Sequence, residues 1–147
     1  MVNREASGVQ GEPFTVVVER GKVHEFARAV RSKHPAYFAE APVAPPTFLT
    51  TMFFWEALVP GSNPWSQVGM DPKRGMHAEQ EYVFHGPPPR AGDRLTARSR
   101  IDRIYEKVGR RGGTLTFVEM VTEFRDPEGL LVAEAKMTCV EPQENPR

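Results

Sequence analysis

Apolar and polar positions along the chain change period in a definite order. Phe14-Thr15-Val16-Val17-Val18-Glu19 has the β-branched content of a short strand. Val23, Phe26, Ala27 and Val30 then recur at helical spacing, which predicts a short amphipathic helix over Lys22 to Arg31. Pro35 stops it, and residues 32–46 read as irregular. Thr47, behind Pro45-Pro46, is an N-cap candidate. The run after it (Phe48, Leu49, Met52, Phe53, Phe54, Trp55, Ala57, Leu58) is apolar on nearly all sides, as in a buried helix, and Pro60-Gly61 ends it. Residues 60–76 form a long Pro/Gly-rich connection, of a length that compact domains keep for function or for a lid.

The remainder reads as strands: His77–His85, Arg94–Glu106, Thr114–Arg125 and Leu130–Glu141. Gly109 to Gly113 is a turn, and Asp126-Pro127-Glu128-Gly129 has the residues of a type I turn. Long strands joined by tight turns imply an antiparallel meander. One strand, a buried helix and four more strands give an α+β layout in which the sheet wraps the helix. The expectation is one domain over residues 1–147, with 1–12 a loose tail. Such a sheet leaves a long edge strand that association would cover. Thr114–Arg125 carries apolar residues on both faces, which fits either a well-filled core or a dimer interface.

Charge and composition exclude more than they assign. Lysine plus arginine equal aspartate plus glutamate at 19 each, so nothing general drives the chain to nucleic acid or anionic lipid. The single cysteine, Cys139, allows no intrachain disulfide and fits a reducing compartment. Phe48 to Pro60 is too short to span a bilayer, and the polar N-terminus lacks the apolar core of a signal peptide. A cytoplasmic location is expected.

One segment carries a family signal. The order Lys33-His34-Pro35-Ala36-Tyr37-Phe38, Ala44-Pro45-Pro46-Thr47-Phe48 and an apolar run resembles the N-terminal domain of the MaoC-like, fatty-synthase-like dehydratases of the hot-dog superfamily. The stretches Met76–His85 and Arg90–Leu95 and the hairpin around Asp126–Gly129 resemble it too, so the likeness covers residues 12–141. The resemblance implies a hot-dog fold, an antiparallel sheet around a long central helix. It also implies acyl thioesters, on coenzyme A or an acyl carrier protein, as ligands of fatty-acid type metabolism. Active members carry Gly-Asp-x-Asn-Pro-x-His, whose Asp and His activate water for addition to a 2-enoyl thioester. With Pro35 as anchor, Arg31 stands at the Gly, Ser32 at the Asp, His34 at the Asn and Tyr37 at the His. The family also holds catalytically silent chains that pair with an active MaoC-like chain and shape the channel for long acyl groups. This chain resembles that half.

The residues themselves allow several chemistries. An enolate-like oxygen could be held by the amides of Thr47, Phe48 and Leu49, or Pro-Pro-Thr is only a rigid helix start. His34 lies in the loop before the buried run and is the acid–base candidate, with Tyr37 and Ser32. His24 reads as solvent-facing. His77 and His85 lie about 27 Å apart on one strand and read as strand-end residues. Arg110 and Arg111, with Lys107 and Arg103, form a basic spot at a hairpin, either solvated or touching carrier phosphates. No metal-ligand spacing is present, and Cys139 reads as core.

The reading is a component of an enoyl-thioester hydratase or 3-hydroxyacyl-thioester dehydratase, cofactor-free apart from the thioester's carrier. It would act as a homodimer or as a heterodimer with a catalytic MaoC-like chain. The partner-dependent, silent subunit is favoured over a self-sufficient (R)-specific enoyl-CoA hydratase. The alternatives are an acyl-CoA thioesterase, for which Glu56 is the available carboxylate, and a non-catalytic acyl-binding protein.

Overall fold

The computed structural model describes residues 2–110 and 112–143. Five strands form one antiparallel sheet: β1 (Phe14–Val17), β2 (Met76–Phe84), β3 (Arg94–Val108), β4 (Thr114–Arg125) and β5 (Leu131–Pro142), in the spatial order β1-β3-β4-β5-β2. The expected meander holds for β3, β4 and β5. It fails for β2, which crosses the sheet to pair with β5. The crossing is about 14 Å at ordinary strand spacing, and Pro87-Pro88-Pro89 supplies a stiff linker for it.

On β4, Thr116, Val118, Met120, Thr122 and Phe124 point inward and are buried. Helix α1 (Arg20–Ala29) buries Val23 and Ala27 on this side, and its Phe26 meets Phe48 edge-on at 5.7 Å. The main core gathers Phe14, Val16, Phe48, Leu49, Leu95 and Phe124.

The central element is shorter than expected. In place of a helix over Thr47–Leu58, a 3₁₀ turn, Phe48–Met52, runs into a single α-helical turn, α2 (Phe53–Glu56). Phe48 N–H reaches back to Pro45 O and Thr50 N–H to Thr47 O, so the tighter three-residue bonding is set at the start. Thr47 does not cap it with its side chain, and the β-branched pair Thr50-Thr51 favours no α-helix. The run is also not buried all round: Phe48 and Leu49 are enclosed, whereas Phe54 is 65% and Leu58 77% exposed.

The N-terminal residues are not a loose tail. Asn3 caps a 3₁₀ turn at Arg4–Ala6, and Ala6 is buried against Ile101 and Val118 in a second core cluster. Gly8 N–H donates to Ile101 O, Ile101 N–H to Val9 O and Gly11 N–H to Ser99 O, which continues the sheet edge beyond β1. The contacts are made by backbone and small residues, so no apolar pattern announces them. At Gly11 a Cβ would lie 1.8 Å from Ser62 O. Gly11→Ala must therefore push the segment off the 60–63 turn, at a cost of about 1–3 kcal/mol. Urea unfolding of the variant checks this, and an unchanged midpoint would refute the close approach.

Candidate functional site

The loop after α1 begins with a residue in an unusual conformation. Arg31 has φ +57°, the left-handed region, and Ser32 N–H closes the helix on Ala27 O at 2.9 Å. Glycine is the residue suited to that place, and it is the one the family pattern puts there. Arg31→Gly should stabilise the chain by about 1 kcal/mol, read as a raised unfolding midpoint.

Ser32, His34 and Tyr37 are brought together. His34 N–H donates to Ser32 Oγ (3.3 Å), Ala36 N–H donates to His34 Nδ1 (3.3 Å), and the His34 and Tyr37 rings lie 5.2 Å apart. These bonds make His34 the cap of the 3₁₀ turn Pro35–Tyr37. With Nδ1 accepting, a neutral His34 carries its hydrogen on Nε2 and presents a donor, not a base. No carboxylate is among these contacts. The loop is fixed to the sheet end through Ala44 N–H to Pro89 O and Ala91 N–H to Pro42 O.

Of the proposed amide donors, Phe48 is already engaged by Pro45 O at 2.9 Å, which leaves Thr47 and Leu49. Thr47 is exposed and the Leu49 side chain is buried. In the basic spot, Arg103 grips Glu119 with two bonds of 2.7 and 2.9 Å, and Lys107 lies 5.1 Å over the Phe117 ring. The hydrogen-bonded Arg103 guanidinium holds the Glu119 carboxyl below the usual range. Arg110 is exposed, and Arg111 lies outside the described residues.

The other histidines hold ordinary partners with one exception. His77 Nε2 meets Glu79 O and His85 Nε2 meets Glu134. His24, expected to face solvent, is half-buried against Phe38 at 5.8 Å, and its Nε2 is buried with no hydrogen-bond partner among the described residues. The helix turns it inward because Phe38 folds back over α1.

Two features were not assembled from the sequence. The first is a groove of about 300 Å³ between α2, the 60–76 connection and the sheet, walled by Phe53, Trp65, Met70, Met120 and Met137. Burial raises the thiol of Cys139 on its floor. The groove's outer wall is fixed by Glu141, which accepts from Asp71 N–H and from Arg74, both at 2.8 Å. The signal was four methionines, two at inward positions of β4 and β5 and two beside the long connection.

The second is Glu56, 3% exposed at the end of α2. It accepts from Ser99 Oγ (3.3 Å) and Asn63 Nδ2 (3.2 Å), and Ser99 Oγ shares a 2.8 Å bond with Thr122 Oγ1. Burial raises its carboxyl above the ordinary 4.5, and the two neutral donors only partly oppose this. A lone carboxylate inside an apolar run was the sequence signal; the strand residues facing it were not readable.

A raised folded-state pKa means the folded chain keeps this proton to higher pH than the unfolded chain. The favourable contribution is full below 4.5 and is lost as pH rises through the folded value. Glu56→Gln removes the charge and keeps one of the two acceptor oxygens. Its stability gain over the parent chain should widen between pH 4.5 and 8, measured by urea unfolding. A gap independent of pH would contradict the burial argument. Glu119 and Glu123, lowered by Arg103 and Arg125, act only on the acid side of 4.5 and leave this window clear.

Comparison with known proteins now fits these observations. Residues 5–135 match the family described as FAS1-like, dehydratase domain region. The chain belongs to this family. A UPF0336 protein of Streptomyces griseus is 35% identical over 80% of this chain and 79% of its own length. A UPF0336 protein of Mycobacterium leprae is 34% identical over 84% and 75%. Among solved structures, a chain of the C-terminally truncated HadBC (3R-hydroxyacyl-ACP dehydratase) complex from Mycobacterium tuberculosis is 32% identical. The match covers 92% of this chain and 96% of that one, with a TM-score of 0.69. The ChsH1–ChsH2 complex of the same organism has a TM-score of 0.71 over 97% and 89% at 15% identity, a likeness of fold alone. The fold is the α+β hot dog, and the MaoC-like dehydratase resemblance holds. Among the described residues, no helix is long and apolar enough to cross a membrane.

Proposed function

We propose that this chain is the subunit of a hydroxyacyl-thioester dehydratase (enoyl-thioester hydratase) that supplies acyl-channel walls and relies on a catalytic MaoC-like partner for acid–base chemistry. The observation that carries this is the state of the 31–37 loop. It turns through Arg31 in the left-handed region, Ser32 and Tyr37 stand where the resembled pattern has Asp and His, and His34 Nδ1 is bound to its own loop. Among the described residues no carboxylate bonds to Ser32, and a tyrosine at the His position is a poor general base near neutral pH.

The surface supports a partner. The first six residues of β2 are exposed, and the strand's outer edge pairs with nothing among the described residues. Phe53, Phe54 and Leu58 stand exposed on the central turn, with Lys22 Nζ 4.7 Å above the Phe54 ring. Covering Phe54 and Leu58 fully gives about 1.5–3 kcal/mol each. The solved relative at 32% identity is itself a two-component dehydratase complex. The substrate is an acyl chain on coenzyme A or an acyl carrier protein, cytoplasmic, with no cofactor beyond that carrier.

The test is hydration of 2-enoyl-CoA substrates, followed as loss of enoyl-thioester absorbance. The purified chain alone should show no turnover, and co-expression with a MaoC-like chain carrying the Asp/His pair should give a stable complex that turns over. Phe54→Asp should prevent the complex while leaving the single chain folded. Turnover by the chain alone that is abolished in His34→Ala would instead establish a self-sufficient hydratase.

A further inference from the structure

Along β3, Leu95, Ala97, Ser99 and Ile101 are buried, so Thr96, Arg98 and Arg100 stand on the opposite, outer face of the sheet. The register sets Arg98 beside Glu123, with Arg125 one step to one side of that pair and Arg100 one step to the other. Three guanidinium groups therefore gather around one carboxylate. They line a groove of about 350 Å³, with Gln10 and Pro13 of the N-terminal segment at its rim. Glu123 bonds two of the three, Arg100 at 2.8 Å and Arg125 at 2.7 Å. Asp102 takes the other side of Arg100 at 3.0 Å, and Gly129 O accepts from Arg125 at 3.1 Å. Glu134, which faces Glu123 from β5, is occupied by His85 at 2.8 Å.

Arg98 is different. Its Nε donates to Gly11 O at 2.9 Å, which fixes the side chain, and among the described residues no carboxylate bonds it. Its two terminal nitrogens are left as a planar fork, the arrangement that matches two oxygens of a phosphate group. Three arginines against Glu123 and Asp102 leave one positive charge uncompensated, and it is centred on Arg98. The groove has the volume of a small-molecule site, at the lower end of about 300–1,000 Å³.

We propose that this outer groove binds the diphosphate group of a small ligand other than the acyl thioester. One phosphate sits on the Arg98 fork, and the second is reached by Arg100 and Arg125, which flank Arg98 on either side. Charge on both sides of the fork favours linked phosphates over a lone one. The methionine-walled groove lies on the inner face, where Met120 is buried, so the sheet separates the two sites. The basic spot at the β3–β4 hairpin is a different place again, since Lys107 stands nine residues along β3 from Arg98, about 30 Å at strand rise. A bound diphosphate also holds Arg98 against Gly11 O, and through it the N-terminal segment whose Glu12 N–H donates to Gly61 O. The site is independent of the dehydratase reading and needs no partner chain.

The experiment is calorimetric titration of the purified full chain with inorganic pyrophosphate, ADP, coenzyme A and sulfate at matched ionic strength. Pyrophosphate and ADP should bind with one site per chain, about tenfold or more tighter than sulfate, and the affinity should fall as salt is raised. Arg98→Gln should abolish binding, with circular dichroism of the variant confirming its fold because the bond to Gly11 O is also lost. Glu123→Gln removes the carboxylate that competes for Arg100 and Arg125, so it should tighten pyrophosphate binding by about tenfold. That gain cannot come from a damaged fold. Decanoyl-pantetheine, which carries the thioester and no phosphate, should leave the pyrophosphate affinity unchanged. The proposal is overturned by sulfate binding as tightly as pyrophosphate, by parental affinity in Arg98→Gln, or by weaker binding in Glu123→Gln. Binding of coenzyme A while pyrophosphate and ADP stay silent, or competition by decanoyl-pantetheine, would place the anion in the thioester's own site and overturn it as well. Enoyl-CoA hydration with a partner reads none of these quantities, so the two proposals fail independently.

Discussion

A central strand whose inner side presents Val118, Met120, Thr122 and Phe124 has to be covered, because leaving that much apolar surface in water would forfeit most of what folds the domain. The covering available is thin. Helix α1 has ten residues and α2 only four, so they shield one half of the sheet. The other half is covered by loops with only short 3₁₀ turns: the N-terminal segment through Ala6, and the connection through Trp65, Val68 and Met70. Coverage by loops leaves gaps where helices would not. The methionine-walled groove is that gap, bounded by flexible side chains able to fit a varied guest.

The same scarcity of helix explains the Glu56 cluster. The central turn stops after Glu56, and its last carbonyls need partners. Ser62 Oγ donates to Glu56 O and Val59 O at 2.8 and 2.7 Å, which folds the connection under the turn. That fold brings Asn63 to the carboxyl from one side while β3 delivers Ser99 from the other. A buried carboxyl held by neutral donors is costly as an anion. The cluster therefore joins central turn, sheet and groove wall, and it couples all three to the protonation state of one group.

The strands were legible because period-two alternation and turn residues such as Asp126-Pro127-Glu128-Gly129 act locally. Their ends fell within two residues of the expected ones. What failed was decided at a distance or by the backbone. The crossing of β2 to β5 depends on which edge is free, and the strand's own sequence does not state it. The N-terminal segment is held by amides of Gly8 and Gly11, which have no hydropathy signal. The apolar run after Thr47 was read as buried all round because hydropathy cannot tell a core from an interface. Exposed Phe54 and Leu58 show that part of this apolarity faces away from the chain's own sheet. Of the site, the loop substitutions Ser32 and Tyr37 were visible by resemblance. The environment of Glu56 was not, since Ser99 and Thr122 come from strands more than forty residues downstream.

The 31–37 loop holds a strained geometry at Arg31. A non-glycine residue in the left-handed region costs about 1–2 kcal/mol, a large share of the margin by which a domain of this size is stable. Arg31 accepts that cost, and the bonds that keep the turn come from the backbone and from His34 and Ser32. The turn fixes where the chain re-enters the sheet end at Pro42, Ala44 and Pro89, and so where Phe48 and Leu49 enter the core. Displacing the loop would shift the central turn and with it the exposed face bearing Phe53, Phe54 and Leu58. The loop's shape is therefore tied to packing of the core and of that face, a reason for the strained turn that does not depend on which side chains it carries.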